Sequence, residues 1–187
     1  IEMSVTAGMV RDLRQRTSAG MMECKRALVE SEGDIEKATE LLRKKGAASA
    51  EKKAGRIAAE GKIVQRISAD GKLGVVIEVN CETDFVAQAD SFTAFADQIA
   101  DYAAAQRPES VDRLLEGILK TGERVEDARH RLIGLIGENV SVRRFELVEI
   151  DEGRISGYLH GRKIGVLVAV QSGTKELGHD LAMHIAA

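Results

Sequence analysis

The sequence predicts an α+β protein in which an N-terminal three-helix module precedes an antiparallel sheet covered by helices. Three observations carry this reading. Apolar residues in the first 46 positions recur at helical spacing in three groups, broken by TSAG and by Gly33 and Asp34. Between Lys62 and Val79 the apolar period drops to two, around an Asp-Gly pair of the kind that turns a hairpin. Later strand candidates arrive in a block, without the regular alternation of strand and helix that builds a parallel sheet.

The helices come first. Thr6 is placed to cap a helix carrying Val10 and Leu13. The TSAGMM segment at 17–22 ends it before a second helix with Met22, Cys24, Ala27 and Leu28. Gly33 and Asp34 open a third, with Ile35, Ala38, Leu41 and Leu42 facing inward and Gly46 expected to close it as a C-cap. Residues 1–46 thus read as a compact module, similar in arrangement and length to the ubiquitin-associated fold, including a loop that presents Met at the equivalent turn. Residues 47–60 change to Ala, Lys and Glu with almost no bulky apolar side chain, the composition of a solvent-exposed helical linker.

Residues 61–187 read as the α+β core domain. Ile63, Gln65 and Ile67 alternate before Asp70 and Gly71, and Leu73 to Val79 return as a second strand. Asp90 or Ser91 is expected to cap a helix whose apolar face is Phe92, Phe95, Ala96, Ile99 and Tyr102. Past Arg107 and Pro108 come two helical patterns, one with Leu114, Leu115 and Ile118, the other with Val125, Leu132, Ile133, Leu135 and Ile136. Strands follow at 140–149, 154–160 and 164–171, and with the first hairpin they are expected to make one antiparallel sheet with helices on one face. From Thr174 to Ala187 an amphipathic helix carries Leu177, Leu181 and Ile185. The chain stops within that apolar pattern, which reads as a fragment or a shortened form, and Ile1 and Glu2 before Met3 read as a processed or extended end.

Composition excludes more than it assigns. With 44% hydrophobic and 30% charged residues and a net charge of −3, this is the balance of a soluble globular protein with no general attraction to nucleic acid or anionic membrane. Cys24 and Cys81 have neither CxxC spacing nor a nearby His pattern, which fits free thiols in a reducing compartment, the cytosol or an organelle matrix. No stretch approaches the roughly 20 apolar residues of a membrane span, and the first residues lack a secretory layout. There is no phosphate loop, nucleophile elbow or HExxH pair, so no cofactor and no catalytic group is expected. His179 and His184, five residues apart, would point to different helix faces and suit packing better than a metal. Glu78 alternates with apolar neighbours and is expected to face water.

Two features invite a binding role. Arg43, Lys44, Lys45, Lys52, Lys53 and Arg56 fall within 14 residues against the single acid Glu51, a basic stripe that would suit RNA or an acidic protein. It lacks the interleaved aromatics used for base stacking, and a solvated helix face is the plainer reading. The second feature is CETDFV at 81–86, where Asp84 and Phe85 stand side by side at the mouth of a strand. A carboxylate and an apolar wedge from one turn suit a metal-lined pocket on a partner. Spacing offers another reading: Phe85 lies seven residues before Phe92 and ten before Phe95, which would set all three on one buried stripe. A helix starting at Asp90 or Ser91 leaves Phe85 outside it, in a connecting turn where functional side chains concentrate.

Several segments in order resemble translation elongation factor Ts. They are LRQRTSAGMMECKRAL (13–28), GDIEKATELLRKKG (33–46), AEKKAG (50–55), VNCETDFVA (79–87), IGENVSVRR (136–144), YLHGRKIGVLVA (158–169) and AMHIAA (182–187). The resemblance implies a cytoplasmic, non-enzymatic protein that binds elongation factor Tu, GDP-bound or nucleotide-free, and accelerates GDP release in protein synthesis. It implies that Asp84 and Phe85 press near the partner's magnesium and nucleotide site, with His160 at a second contact. It implies docking through Arg14, Met21, Met22, Lys25 and Lys53, where adjacent Met side chains suit an adaptable surface. Most bacterial members continue past AMHIAA, so a shortened one would rely on other support, such as a homodimer. An RNA-binding module, or a ubiquitin-like or nascent-chain interaction module, are the alternatives.

Overall fold

The computed structural model describes residues 5–187; Ile1, Glu2 and Met3, read above as a processed or extended end, lie outside the described residues. In chain order the elements begin with α1 (Ala7–Thr17), α2 (Met21–Glu30), α3 (Ile35–Lys53), β1 (Glu60–Ile67), β2 (Leu73–Cys81), α4 (Asp84–Gln88) and α5 (Asp90–Gln106). They continue with α6 (Val111–Glu116), α7 (Val125–Ile136), β3 (Ser141–Glu149), β4 (Arg154–His160), β5 (Ile164–Val170) and α8 (Lys175–Ala186). Contacts divide the chain into two compact units, one running to Arg56 and including Asp127–Asn139, the other formed by Ile57–Glu126 and Val140–Ala187.

In the first unit the caps act as the sequence suggests. Thr6 Oγ1 accepts from Met9 N at 3.2 Å and Asp34 Oδ1 from Lys37 N at 3.0 Å, each satisfying an amide that the helix cannot pair internally. Val10, Leu13, Cys24, Ala27, Leu28 and Ala38 bury one apolar face from each of the three helices. Gly46 is not a C-cap. Helix α3 runs on to Lys53, and a Cβ at Gly46 would stand 3.3 Å from the His130 carbonyl oxygen of α7. Glycine here serves close helix packing, and Arg43 and Asp127, 3.4 Å apart, bridge the same pair of helices.

In the second unit β1, β2 and β3 form an antiparallel sheet in that order, while β4 and β5 form a separate hairpin. The single sheet expected from sequence is therefore two. Period-two patterning sorts the faces. Val64, Val75, Ile77 and Val79 are buried on the α5 side together with Phe92, Phe95, Ala96 and Ile99, and Arg66 on that face reaches Asp97 and Asp101 of α5 at 2.9 and 2.5 Å. Ile63, Gln65, Ile67 and Val76 take the opposite face and meet the β4–β5 hairpin, where Gly157 and Gly165 let the two sheets approach closely. Helix α8 covers the far side of the hairpin, so helices lie on both outer faces and not on one. Gly178 and Ala182 make its buried side, whereas Leu177, Leu181 and Ile185 are exposed.

Further expectations are corrected locally. Helix α5 begins at Asp90 as its first residue, with Ala89 as N-cap and no side-chain cap bond. Ile118 lies past α6 and pairs with Arg124 in an isolated bridge; it and Leu135 are exposed. Glu78 does not face water: its side chain is 17% exposed, 2.7 Å from Arg144 and 3.9 Å from Arg143. Burial alone would raise its pKa, but hydrogen bonds from Arg144 and Asn80 outweigh that and hold the carboxyl below its usual range. No helix among the described residues is long and apolar enough to cross a membrane.

Close sheet packing yields a test. A Cβ at Gly165 would stand 2.6 Å from Cγ2 of the half-buried Ile63 and 3.2 Å from the Leu159 side chain, so Ile63 would have to shift. Gly165→Ala is expected to destabilise the chain by about 1–3 kcal/mol in urea unfolding; unchanged stability would mean that the sheets are not in close contact there.

Candidate functional site

The end of β2 builds the corner that carries Asp84 and Phe85. Glu60 and Cys81 form the last register pair of the β1–β2 ladder, so the chain leaves a fixed strand end. The buried Cys81 thiol donates to Thr83 O at 3.2 Å, and Thr83 Oγ1 accepts from Val86 N at 3.4 Å as the N-cap of α4. Asp84 and Phe85 are thus the first two residues of a short helix, where sequence reading placed an irregular turn. Ala87 is the buried residue of that helix and anchors it, which leaves Phe85 to project outward, 82% exposed. The stripe joining Phe85 to Phe92 and Phe95 does not exist, because Ala89 lies in extended conformation between the two helices. Phe92 and Phe95 are buried and Phe145 is half-buried, so Phe85 is the one Phe that the fold leaves exposed.

Beside the corner lies an open recess of about 410 Å³ lined by Glu60, Glu82, Thr83, Asp84, Phe85, Arg162 and Lys163. Arg162 and Lys163 come from the β4–β5 turn, which follows His160. His160 is exposed, and its Nδ1 lies 3.1 Å from Tyr158 Oη. The second unit therefore brings Asp84, Phe85 and the turn that follows His160 to one region. Sequence reasoning missed Glu60, Arg162 and Lys163; the only signal was the pair of cations directly after the LHG motif. His179 is engaged elsewhere, its Nδ1–H donating to Gly157 O at 3.1 Å and its ring edge-on to Tyr158.

On the first unit Met21 and Met22 are 58% and 64% exposed at the start of α2, and Arg14 and Lys25 are exposed on neighbouring turns. Neither Met enters the core. Val29, seven residues after Met22 and also exposed, extends the same helix face, and that spacing was the available signal for it. Lys53 is half-buried, with its ammonium donating to Ser49 Oγ at 2.5 Å. Half of the basic stripe is answered by acids within its own unit. Arg43 pairs with Glu40 at 2.8 Å and with Asp127, Lys44 pairs with Glu40, and Lys45 pairs with Glu30 at 2.7 Å. The hydrogen bond from Arg43 holds Glu40 below the ordinary carboxyl value. A nucleic acid would have to displace these acids.

Fold and site together define an α+β protein with projecting apolar contact points and, among the described residues, no group of three side chains able to hold a metal. Residues 82–187 match the family model described as Elongation factor TS. Elongation factor Ts of Methylococcus capsulatus is 56% identical over 99% of this chain and 63% of its own length, and that of Hydrogenovibrio crunogenus is 53% identical over the same shares. Elongation factor Ts of Arthrospira platensis is 53% identical over 98% of this chain and 74% of its own. The chain belongs to the elongation factor Ts family. It spans 63% of the length of the first two of these relatives.

The cap is the local device that aims Phe85. Thr83→Ala should remove about 1 kcal/mol of helix stabilisation and so lower protection of the Val86 amide about fivefold in hydrogen exchange. Unchanged protection would show that Thr83 does not hold α4.

Proposed function

We propose that this chain is a guanine nucleotide exchange factor for elongation factor Tu, acting in translation elongation by pressing Asp84 and Phe85 toward the partner's magnesium and nucleotide site. The observation that carries the reading is the exposed Phe85 on a capped, anchored helix in a member of the elongation factor Ts family. The chain itself performs no bond-making step. Phe85 supplies an apolar wedge, and Asp84 beside it supplies a carboxylate that competes for the polar groups around the partner's ion. His160 makes a second contact from the neighbouring turn, and Arg14, Met21, Met22 and Lys25 dock the first unit, with Lys53 at its edge.

Magnitudes support a wedge without chemistry. Burying an exposed Phe supplies about 1.5–3 kcal/mol, and each 1.4 kcal/mol removed from a release barrier is roughly tenfold in rate. A wedge held in place before contact loses little conformational entropy on binding, so more of this energy remains to distort the partner. Coupling is reciprocal: if this chain weakens GDP binding, GDP weakens the chain's binding by the same factor.

Two measurements follow. Phe85→Ala is expected to leave the circular dichroism spectrum unchanged and to lower stimulated GDP release from elongation factor Tu at saturation by about tenfold or more; full stimulation would sink the wedge. Lys25→Glu should weaken the nucleotide-free complex about fivefold, mostly through slower association. An association rate equal to that of the wild type would exclude Lys25 from the docking face.

A further inference from the structure

The β4–β5 hairpin is tied to β1 at three points. At its turn, Lys163 Nζ lies 2.9 and 3.2 Å from the carboxylate oxygens of Glu60. One step along, Ile63 N donates to Arg162 O at 2.7 Å. Deeper, Gln65 Nε2 donates to Tyr158 O at 3.1 Å and to Val166 O at 2.9 Å. Tyr158 and Val166 are register partners, so one carboxamide bonds both strands of the hairpin. The carboxamide has room only because position 157 is glycine: a Cβ there would stand 2.8 Å from Gln65 Oε1.

At the far end of the hairpin Ile155 N donates to Gly71 O of the β1–β2 turn at 2.7 Å. Between that bond and the Arg162 end, the packing by Ile63, Ile67 and Leu167 is apolar and non-directional, and by itself tolerates small shifts. A part-buried amide with two fixed acceptors does not, since any slip leaves polar groups unpaired away from water. Tyr158 carries the effect onward, because its own hydroxyl lies 3.1 Å from His160 Nδ1. Glu60 in turn sits at the strand end from which the Asp84 and Phe85 corner departs.

We propose that Gln65 is a positioning residue: between the backbone bonds at either end, its carboxamide holds the middle of the β4–β5 hairpin on the three-stranded sheet, and so fixes the placement of His160 relative to Phe85. The Glu60–Lys163 pair pins the outer end of the same tether. This rests on the exchange reading, in which both turns engage the partner.

The test is a double-mutant cycle read by stimulated GDP release from elongation factor Tu at subsaturating chain, with Phe85→Ala as reference. Gln65→Met keeps length and bulk but has no N–H to give. It should lower stimulated release about threefold to tenfold alone, yet add almost nothing in a His160→Ala background. A merely structural loss would multiply with His160→Ala, and multiplication overturns the proposal, as does full release by Gln65→Met or by His160→Ala. If Gln65→Met does not fold, Lys163→Met, confined to the surface, must show the same non-multiplying pattern with about a twofold loss; multiplying losses overturn it. Full release by Gln65→Met beside a defective Phe85→Ala removes this proposal and leaves the exchange reading. A wild-type chain that fails to stimulate release removes both.

Discussion

The second unit depends on the first rungs of the β1–β2 ladder. Gly61 pairs with Asn80 and Glu60 with Cys81, and the backbones meet so closely that a Cβ at Gly61 would stand 2.1 Å from Val79 O. Gly61 also has φ of 144°, a conformation that side chains disfavour, so only glycine satisfies both demands. The buried Asn80 side chain adds a hydrogen bond to Glu60 O at 3.1 Å. Two things leave this one clamped strand end. Through Cys81 and Thr83 the chain enters α4 and projects Phe85; through the Glu60 carboxylate it holds Lys163 and the turn that follows His160. An apolar side chain presented from such a support is ordered before any partner arrives, which separates it from an equally exposed residue on a loose loop.

Much of this was legible from residue order. Strands β3, β4 and β5 fall within a residue or two of the expected spans, because alternating branched residues bounded by Asp-Glu-Gly and Gly-Arg-Lys leave few other choices. The cap at Thr6 was equally plain, and the helices expected to open at Asp34 and Thr174 begin one residue later, with those two side chains as their N-caps. Where the reading failed, the deciding contact was distant in sequence. Gly46 has the local look of a helix stop, yet its neighbour is the His130 carbonyl more than eighty residues away. The segment Asp127–Asn139 joins the first unit for the same non-local reason. That five strands divide into two sheets depends on which faces carry Gly157 and Gly165, and a glycine in a strand announces close approach without saying to what.

The candidate site residues divide along the same line. Asp84, Phe85, Met21 and Met22 stand out in the sequence because large apolar side chains beside charges or turns are conspicuous in a chain with 3% aromatic residues. Arg162, Lys163 and Glu60 do not, since a cation after a turn and an acid at a strand start are ordinary until the fold brings them together. Charge misleads in the opposite direction on α3, where Arg43, Lys44 and Lys45 look like an open basic stripe and are answered by Glu40, Asp127 and Glu30. Exposed pairs of this kind contribute little to stability, about 0–1 kcal/mol each, but they leave less free positive charge than a count of residues suggests.

The chain covers 63% of the length of its relatives from Methylococcus capsulatus and Hydrogenovibrio crunogenus, yet it contains both the corner and the turn that the exchange reading requires. The most direct test is the dissociation rate of fluorescent GDP from elongation factor Tu over a range of concentrations of this chain. The rate should climb with concentration to a plateau well above the spontaneous value. A rate equal to the spontaneous one at every concentration would contradict the central claim that this fold presents a working wedge.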